Sequence, residues 1–273
     1  MTAPRRILVK VGGETLLVAP DRALLARDLA VVVATGAQLC AVHGAGPQIT
    51  ALAARLGCAT MMQGGRRVTD AAMLDAVAMA MCGQVGPALL GACLAQGLRA
   101  VPLPACAGAT VVGRRRPPRH VAGVADPVDF GLVADVEHVD FALLDVLWAA
   151  GFVPLLSSLV ADADGNLLNM NADSLVTALC RAAHFDDVVL VTGVPGVFGD
   201  LADPATHLPE LAAADLPALL ATGAIRGGMV AKLEEVHAIL ATGVDRVWIV
   251  GAAESAVGDA LTGAPGLRTV VRR

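Results

Sequence analysis

Residues 7–16 read ILVKVGGETL, and how this stretch is read decides the fold. Ile7, Leu8, Val9 and Val11 form a short apolar run of the kind that makes a buried strand, closed at once by Gly12 and Gly13. Lys10 interrupts the run with a cation. A strand ending in a plain turn accounts for the glycines. A backbone that must approach an anion accounts for glycines and lysine together. Glycine lets N–H groups crowd a ligand without a Cβ in the way, and lysine adds a compact charge.

Outward from this stretch, similar runs recur at 39–43 (LCAVH), 98–103 (LRAVPL), 152–158 (FVPLLSS), 187–192 (DVVLVT) and 245–250 (DRVWIV). Helical patterns lie at 21–35, 47–56, 70–81, 140–150, 172–183 and 228–241. Apolar strands alternating with helices predict an α/β chain with a mostly parallel sheet covered on both faces. Ligands of such sheets bind beyond the carboxyl ends of the strands, so the loops there are where chemistry is expected. Segment 106–137 breaks the rhythm and reads as a hairpin or irregular excursion rather than a core element. Its Arg114, Arg115, Arg116 and Arg119 suit either a solvated loop or contacts to phosphates. A boundary near 181–187 would divide the chain into lobes at 1–180 and 181–273.

Composition narrows the class. The 273 residues are 56% hydrophobic without a single tyrosine, so the core must be built from small aliphatic side chains. A net charge of −5 leaves no electrostatic footprint for nucleic acid. The six cysteines form no C-x-x-C pair and read as buried, reduced thiols rather than disulfides or zinc ligands. With no signal peptide in the sequence, a cytoplasmic location follows. Residues 76–98 carry no charge and are long enough to span a bilayer, yet Gly83, Gln84, Gly86 and Pro87 interrupt them. A helix, a break and a second helix of a soluble protein are expected there.

Four loops are candidates for chemistry. The first is Lys10-Val11-Gly12-Gly13, and the second is His43-Gly44-Ala45-Gly46-Pro47-Gln48, a glycine loop opening a helix whose free N–H groups suit an anion. His43 reads as a packed strand-end histidine rather than a base. The third is Asn169-Met170-Asn171-Ala172-Asp173, where Asn171 or Asp173 suits a helix cap, and one cap does not explain three polar residues. In the fourth, Ile225-Arg226-Gly227-Gly228-Met229-Val230-Ala231-Lys232, a lysine in the first turn opposes the helix dipole unless an anion sits at the same helix start. Two lysines, each tied to a glycine pair, with an aspartate between them in sequence, make an apparatus suited to phosphoryl transfer.

These motifs, with GGRRVTD at 64–70 and LVTGVPGV at 190–197, resemble the amino acid kinase superfamily, and within it the acetylglutamate kinase family. The resemblance runs from residue 7 to residue 250 and rests on the ordered set of motifs. It implies a three-layer αβα sandwich with an open, mostly parallel central sheet. It also implies an N-terminal lobe for an acyl amino acid and dimerisation, and a C-terminal lobe for ATP. The implied activity is ATP-dependent phosphorylation of the γ-carboxylate of N-acetyl-L-glutamate in arginine biosynthesis. By motif, Lys10 and Lys232 would stabilise the transferring phosphoryl group and Asp173 would orient both. Gly44, Ala45, Gly46, Arg67 and Asn169 would hold the acyl amino acid, with Arg67 on its α-carboxylate. Gly12, Gly13, Gly193, Val194, Pro195, Gly196, Val197, Phe198, Ala224, Ile225, Arg226, Gly227 and Gly228 would contact the nucleotide.

A carboxylate acceptor is already ionised at neutral pH, which fits a chain with no obvious general base. Magnesium is expected to arrive on the ATP phosphates, without a protein ligand. Three positions depart from the family pattern: Ala45 in place of the middle glycine of H-G-G-G, Arg66 in place of leucine, and Gly193 where a polar residue is common. Arginine-inhibited relatives carry an additional N-terminal helix, and its absence before the first strand here predicts a homodimer insensitive to arginine. Two other readings stay open. One is a kinase whose α-aminoadipate or glutamate substrate rides on an acidic carrier protein, which Arg66 and the Arg114–Arg119 cluster would suit. The other is a catalytically silent sensor.

Overall fold

The computed structural model describes residues 3–273 except Ala122, Ala224, Arg226 and Glu254. Its frame is an eight-stranded sheet. In chain order the strands are β1 (Arg6–Val11), β2 (Gln38–His43), β3 (Ala100–Pro104), β4 (Val153–Ser157), β5 (Asp187–Thr192), β6 (Glu210–Ala212), β7 (Arg246–Gly251) and β8 (Arg268–Arg272). They lie in the order β6-β8-β7-β5-β1-β2-β4-β3. All pair in parallel except β7 with β8, which run antiparallel. The sheet is therefore mostly parallel, as the alternation of strands and helices predicts. Edge strand β6 and its neighbour β8 carry no strong apolar run and were not expected from the sequence.

Strand β1 is central, flanked by β2 on one side and β5 on the other. The chain leaves β1 towards β2 and later returns to the opposite side as β5, so the strand order reverses here. Such a reversal opens a crevice at the carboxyl ends of the strands.

Helices cover both faces. Apart from the short helix Leu216–Ala221, they are α1 (Ala19–Ala34), α2 (Gly46–Arg55), α3 (Ala71–Ala95), α4 (Ala142–Ala149), α5 (Ala172–Ala182), α6 (Gly228–Leu240) and α7 (Ala256–Thr262). Alternate residues of each strand feed two separate cores. Ile7, Val9 and Val11 pack with α1, α2, α3 and α7, whereas Leu8 packs with α4, α5 and α6. Lys10 shares Leu8's parity, so the two-residue period of a strand aims its side chain at the α5–α6 side. This places a cation at the one end of a buried strand where two helices begin.

Two sequence expectations need correcting. Residues 76–98 are not a helix, a break and a second helix. A π-helical turn, Met79–Val85, carries α3 through without interruption, and Gly86 N–H bonds Met81 O across it. Pro87 lies at the start of the following α-helical segment, where its missing N–H costs nothing, and the wider turn absorbs the glycines. By length and composition α3 is the one helix among the described residues able to cross a membrane. Here it is a layer of the fold, supplying Met73, Val77, Met81 and Leu89 to the first core. The second correction concerns segment 106–137. Val111–Arg115 and Ala134–Val139 do pair as hairpin arms, but they belong to a four-stranded sheet with Leu159–Ala161 and Leu167–Asn169. Val111 and Ala134 are fully buried in the second core.

Candidate active site

The first glycine loop leaves β1 directly beneath the second. Gln48 of α2 donates from Nε2 to Gly13 O at 2.7 Å, and Gly44 N–H donates to Val11 O at 3.1 Å, stitching the loops together. A Cβ on Gly13 would lie 2.9 Å from Gly46 N, so this position admits only glycine without displacing the neighbouring backbone. Ala45 keeps a negative φ of −148° and is buried, its methyl counted within the first core. The alanine therefore fits the loop without backbone strain.

Asn171 settles the third loop. Its Oδ1 caps α5 by accepting from Asp173 N–H at 2.7 Å and Ser174 N–H at 3.1 Å. The cap leaves the Asp173 carboxylate free to pair with Lys10. Lys10 is only 8% exposed. Burial pulls its pKa down, but the carboxylates of Asp173 and Glu235 outweigh burial and raise it, so the ammonium stays charged. Asp173 is driven the other way. Burial disfavours its charge, and Lys10 with Lys232 more than compensates, leaving it below the usual carboxylate range. From α6, Lys232 reaches Glu235 Oε2 at 2.6 Å. Two lysines and two carboxylates from β1, α5 and α6 thus meet at the crevice.

A cavity opens on either side of this cluster. The larger, of about 970 Å³, is lined by Lys232, Gly193, Val194, Gly196, Phe198, Ile225 and Gly228 from the expected nucleotide set, and by Glu14, Thr192, Asp200, Leu201 and Met229. The smaller, of about 240 Å³, is lined by Lys10, Gly12, Gly13, Gly44, Ala45, Gly46, Arg67, Asn169 and Asp173. Gly12 and Gly13, expected at the nucleotide, border this smaller cavity. Pro195, Val197 and Gly227 line neither: Val197 is fully buried and donates its N–H to Thr269 Oγ1 at 2.8 Å, and Gly227 begins α6 at φ 62°. Ala224 and Arg226 lie outside the described residues. Thr192, the last residue of β5, was open to inference from the rule that ligands gather at strand carboxyl ends. Nothing local in the sequence marks Met229 or Leu201.

Around the smaller cavity, Arg67 donates from Nη2 to Gly46 O at 3.2 Å and to Thr50 Oγ1 at 2.8 Å. Burial lowers its pKa without discharging it. Asn169 donates from Nδ2 to the fully buried Thr69 at 3.1 Å. Arg116 also lines this cavity and is 4% exposed, held by Asp135 at 2.9 Å. Arg119 shares Asp135, and Arg115 pairs with Asp129 at 2.9 Å. Of the arginine cluster, then, one member is buried in the site and two are neutralised nearby. His43 is buried at the end of β2 with its pKa lowered to about 4 by desolvation, which keeps it neutral.

The sequence profile of the Amino acid kinase family matches residues 5–251. The chain belongs to the amino acid kinase family. Among curated members it is 42% identical to the acetylglutamate kinase of Anaeromyxobacter sp. over 90% of this chain and 91% of that one. It is 41% identical to the acetylglutamate kinase of Sorangium cellulosum, over 92% of this chain and 88% of that one. Among solved structures, carbamate kinase from Giardia lamblia bound to AMP-PNP superposes with a TM-score of 0.71 at 17% identity, covering 100% of both chains. That likeness establishes the amino acid kinase fold for this chain.

Proposed function

We propose that this amino acid kinase is an ATP-dependent acetylglutamate kinase of arginine biosynthesis, phosphorylating the γ-carboxylate of N-acetyl-L-glutamate. The observation that carries the reading is the charge cluster between two cavities, with Lys10 lining one and Lys232 the other. ATP occupies the larger cavity, its γ-phosphate towards Lys232. Magnesium enters on the phosphates. N-acetyl-L-glutamate occupies the smaller cavity, with its α-carboxylate on Arg67 and Asn169 beside it. A γ-carboxylate oxygen attacks the γ-phosphorus, the bond to the β–γ bridging oxygen breaks, and ADP leaves with that electron pair. The acceptor has no proton to lose, so the step needs charge neutralisation and alignment rather than a base. Lys10 and Lys232 neutralise the transferring group from opposite sides, and Asp173 holds Lys10 in line.

The acceptor lobe is residues 1–180 and the nucleotide lobe 181–273, meeting where β1 pairs with β5. The enzyme is cytoplasmic and acts as a homodimer, for which the exposed Met79 and Leu94 of α3 offer an apolar face. The carrier-linked alternative requires a basic rim, and the pairing of Arg115, Arg116 and Arg119 with Asp129 and Asp135 weighs against it. The test is an assay of ADP release with free N-acetyl-L-glutamate, with hydroxylamine trapping the acyl phosphate. Rapid turnover without any carrier is expected; no turnover on the free acid would reject this acceptor.

A further inference from the structure

Lys10 has a recognised partner in Asp173. Lys232 has a different one. Glu235 lies three residues further along α6, and its Oε2 sits 2.6 Å from Lys232 Nζ, with the two side chains 10% and 17% exposed. On a solvated helix face an i,i+3 pair is a weak, screened contact. This pair is removed from water and turned into the crevice, whereas the adjacent Glu234 is exposed. Charge neutralisation of Lys232 alone would be met by either glutamate at the surface.

We propose that Glu235 is a positioning residue that aims Lys232 at the γ-phosphate, as Asp173 aims Lys10. This rests on the acetylglutamate kinase reading for its turnover assay, though not for its binding assay. Three observations support it. Glu235 Oε1 is buried and accepts no hydrogen bond among the described residues, whereas Asp173 Oδ1 is the oxygen that pairs with Lys10. Lys10 is held charged by the carboxylates of both Asp173 and Glu235, which joins the two lysine–carboxylate pairs in one charge cluster. Burial first, and the Asp173 charge second, push the Glu235 pKa up.

The experiment compares wild type, Glu235→Gln and Glu235→Asp. It reads melting temperature, kcat, KM for N-acetyl-L-glutamate, and the ratio of affinities for AMP-PNP and ADP by calorimetry. For folded Glu235→Gln we expect kcat to fall about tenfold or more with KM for the acceptor nearly unchanged. The preference for AMP-PNP over ADP should shrink, because a wandering Lys232 no longer meets the γ-phosphate. Glu235→Asp keeps the charge but retracts it, and should retain turnover between the two. A folded Gln variant with wild-type kcat and wild-type nucleotide preference overturns the proposal, as does turnover above wild type, which would mean that Glu235 restrains Lys232. If Glu235→Gln does not fold, wild-type kcat and nucleotide preference in Glu235→Asp overturn it instead. Wild type that binds AMP-PNP but ignores N-acetyl-L-glutamate rejects the acceptor, and the nucleotide ratio still decides the role of Glu235.

Discussion

Lys10 shows how a single residue acquires a role from its surroundings. A lone lysine at the end of a buried strand would shift towards neutrality, since desolvation disfavours its charge. Asp173 and Glu235 reverse that outcome, so the cation survives at the crevice. Replacing Lys10 with Ala should lower kcat by about 10²–10³, the range seen when one preorganised charge-stabilising donor is removed, with KM for ATP moving far less. Steady-state kinetics on a folded variant checks this. Wild-type turnover would contradict the mechanism. His43 carries a different prediction, on stability. Its neutral form is favoured in the fold at a pKa of about 4, against 6.5 when unfolded, so the unfolded chain binds the extra proton between those values. Stability should therefore fall as pH drops from 6.5 towards 4, by up to about 3 kcal/mol from this group alone. Chemical denaturation across that range, compared with His43→Gln, measures the contribution; the variant should show a flatter profile.

At the scale of elements, helix starts do most of the positioning. Asp28 of α1 is buried, and its carboxylate accepts Val257 N–H at 2.7 Å, holding the start of α7 against the sheet from outside that helix. Removing the acceptor in Asp28→Ala strands buried N–H groups and should cost about 1–3 kcal/mol, visible as a lower melting temperature. The activity at a permissive temperature should be retained, because α7 contributes nothing to either cavity. Gly131 ties the second sheet to the loop after Arg67. Its φ is +73° and a Cβ there would sit 2.3 Å from Thr69 O. Gly131→Ala must break the pairing of Thr69 with Gly131 and displace Thr69, the residue that holds Asn169. A raised KM for the acceptor is expected, with ATP affinity unaffected; an unchanged acceptor KM would show that Asn169 is held by other means.

Across the whole molecule, the strand order explains why two cavities open at one crevice. The reversal of strand order at β1 separates the connections on either side and leaves their loops facing each other. The cysteines test the burial this arrangement creates. Cys40, Cys93 and Cys180 are buried, with Cys93 and Cys180 pushed up to about 12 by desolvation, whereas Cys82 is exposed and Cys58 and Cys106 are half-buried. The expectation of uniformly buried thiols therefore holds for only half of them. A thiol-reactive chromophore should leave Cys40, Cys93 and Cys180 untouched in the native protein until unfolding. Rapid native labelling of the buried three would contradict the packing.

The sequence by itself determined the alternation of strands and helices, because the periods of two and 3.6 are local properties of the chain. It carried the glycine loops as well, and at Gly13 the close approach of the Gly46 backbone is the reason only glycine suits. It also carried the two lysines, recognisable because a buried strand and a helix start rarely hold a cation without a partner anion. Edge strand β6 and its neighbour β8 were silent, being short and mixed in polarity, and the π-turn of α3 read as a break. What only the tertiary structure decided was which side chains meet. Nothing in residues 169–173 says whether Asn171 or Asp173 caps the helix; the cap geometry gives that task to Asn171 and frees Asp173. Nothing in the arginine cluster separates Arg116, buried in the smaller cavity, from Arg115, paired outside it. Nor does the run Lys-Leu-Glu-Glu at 232–235 say which glutamate turns inward. Contacts between residues 10, 173 and 235 depend on strand parity and helix phase acting across more than two hundred residues, and distance along the chain carries no record of that.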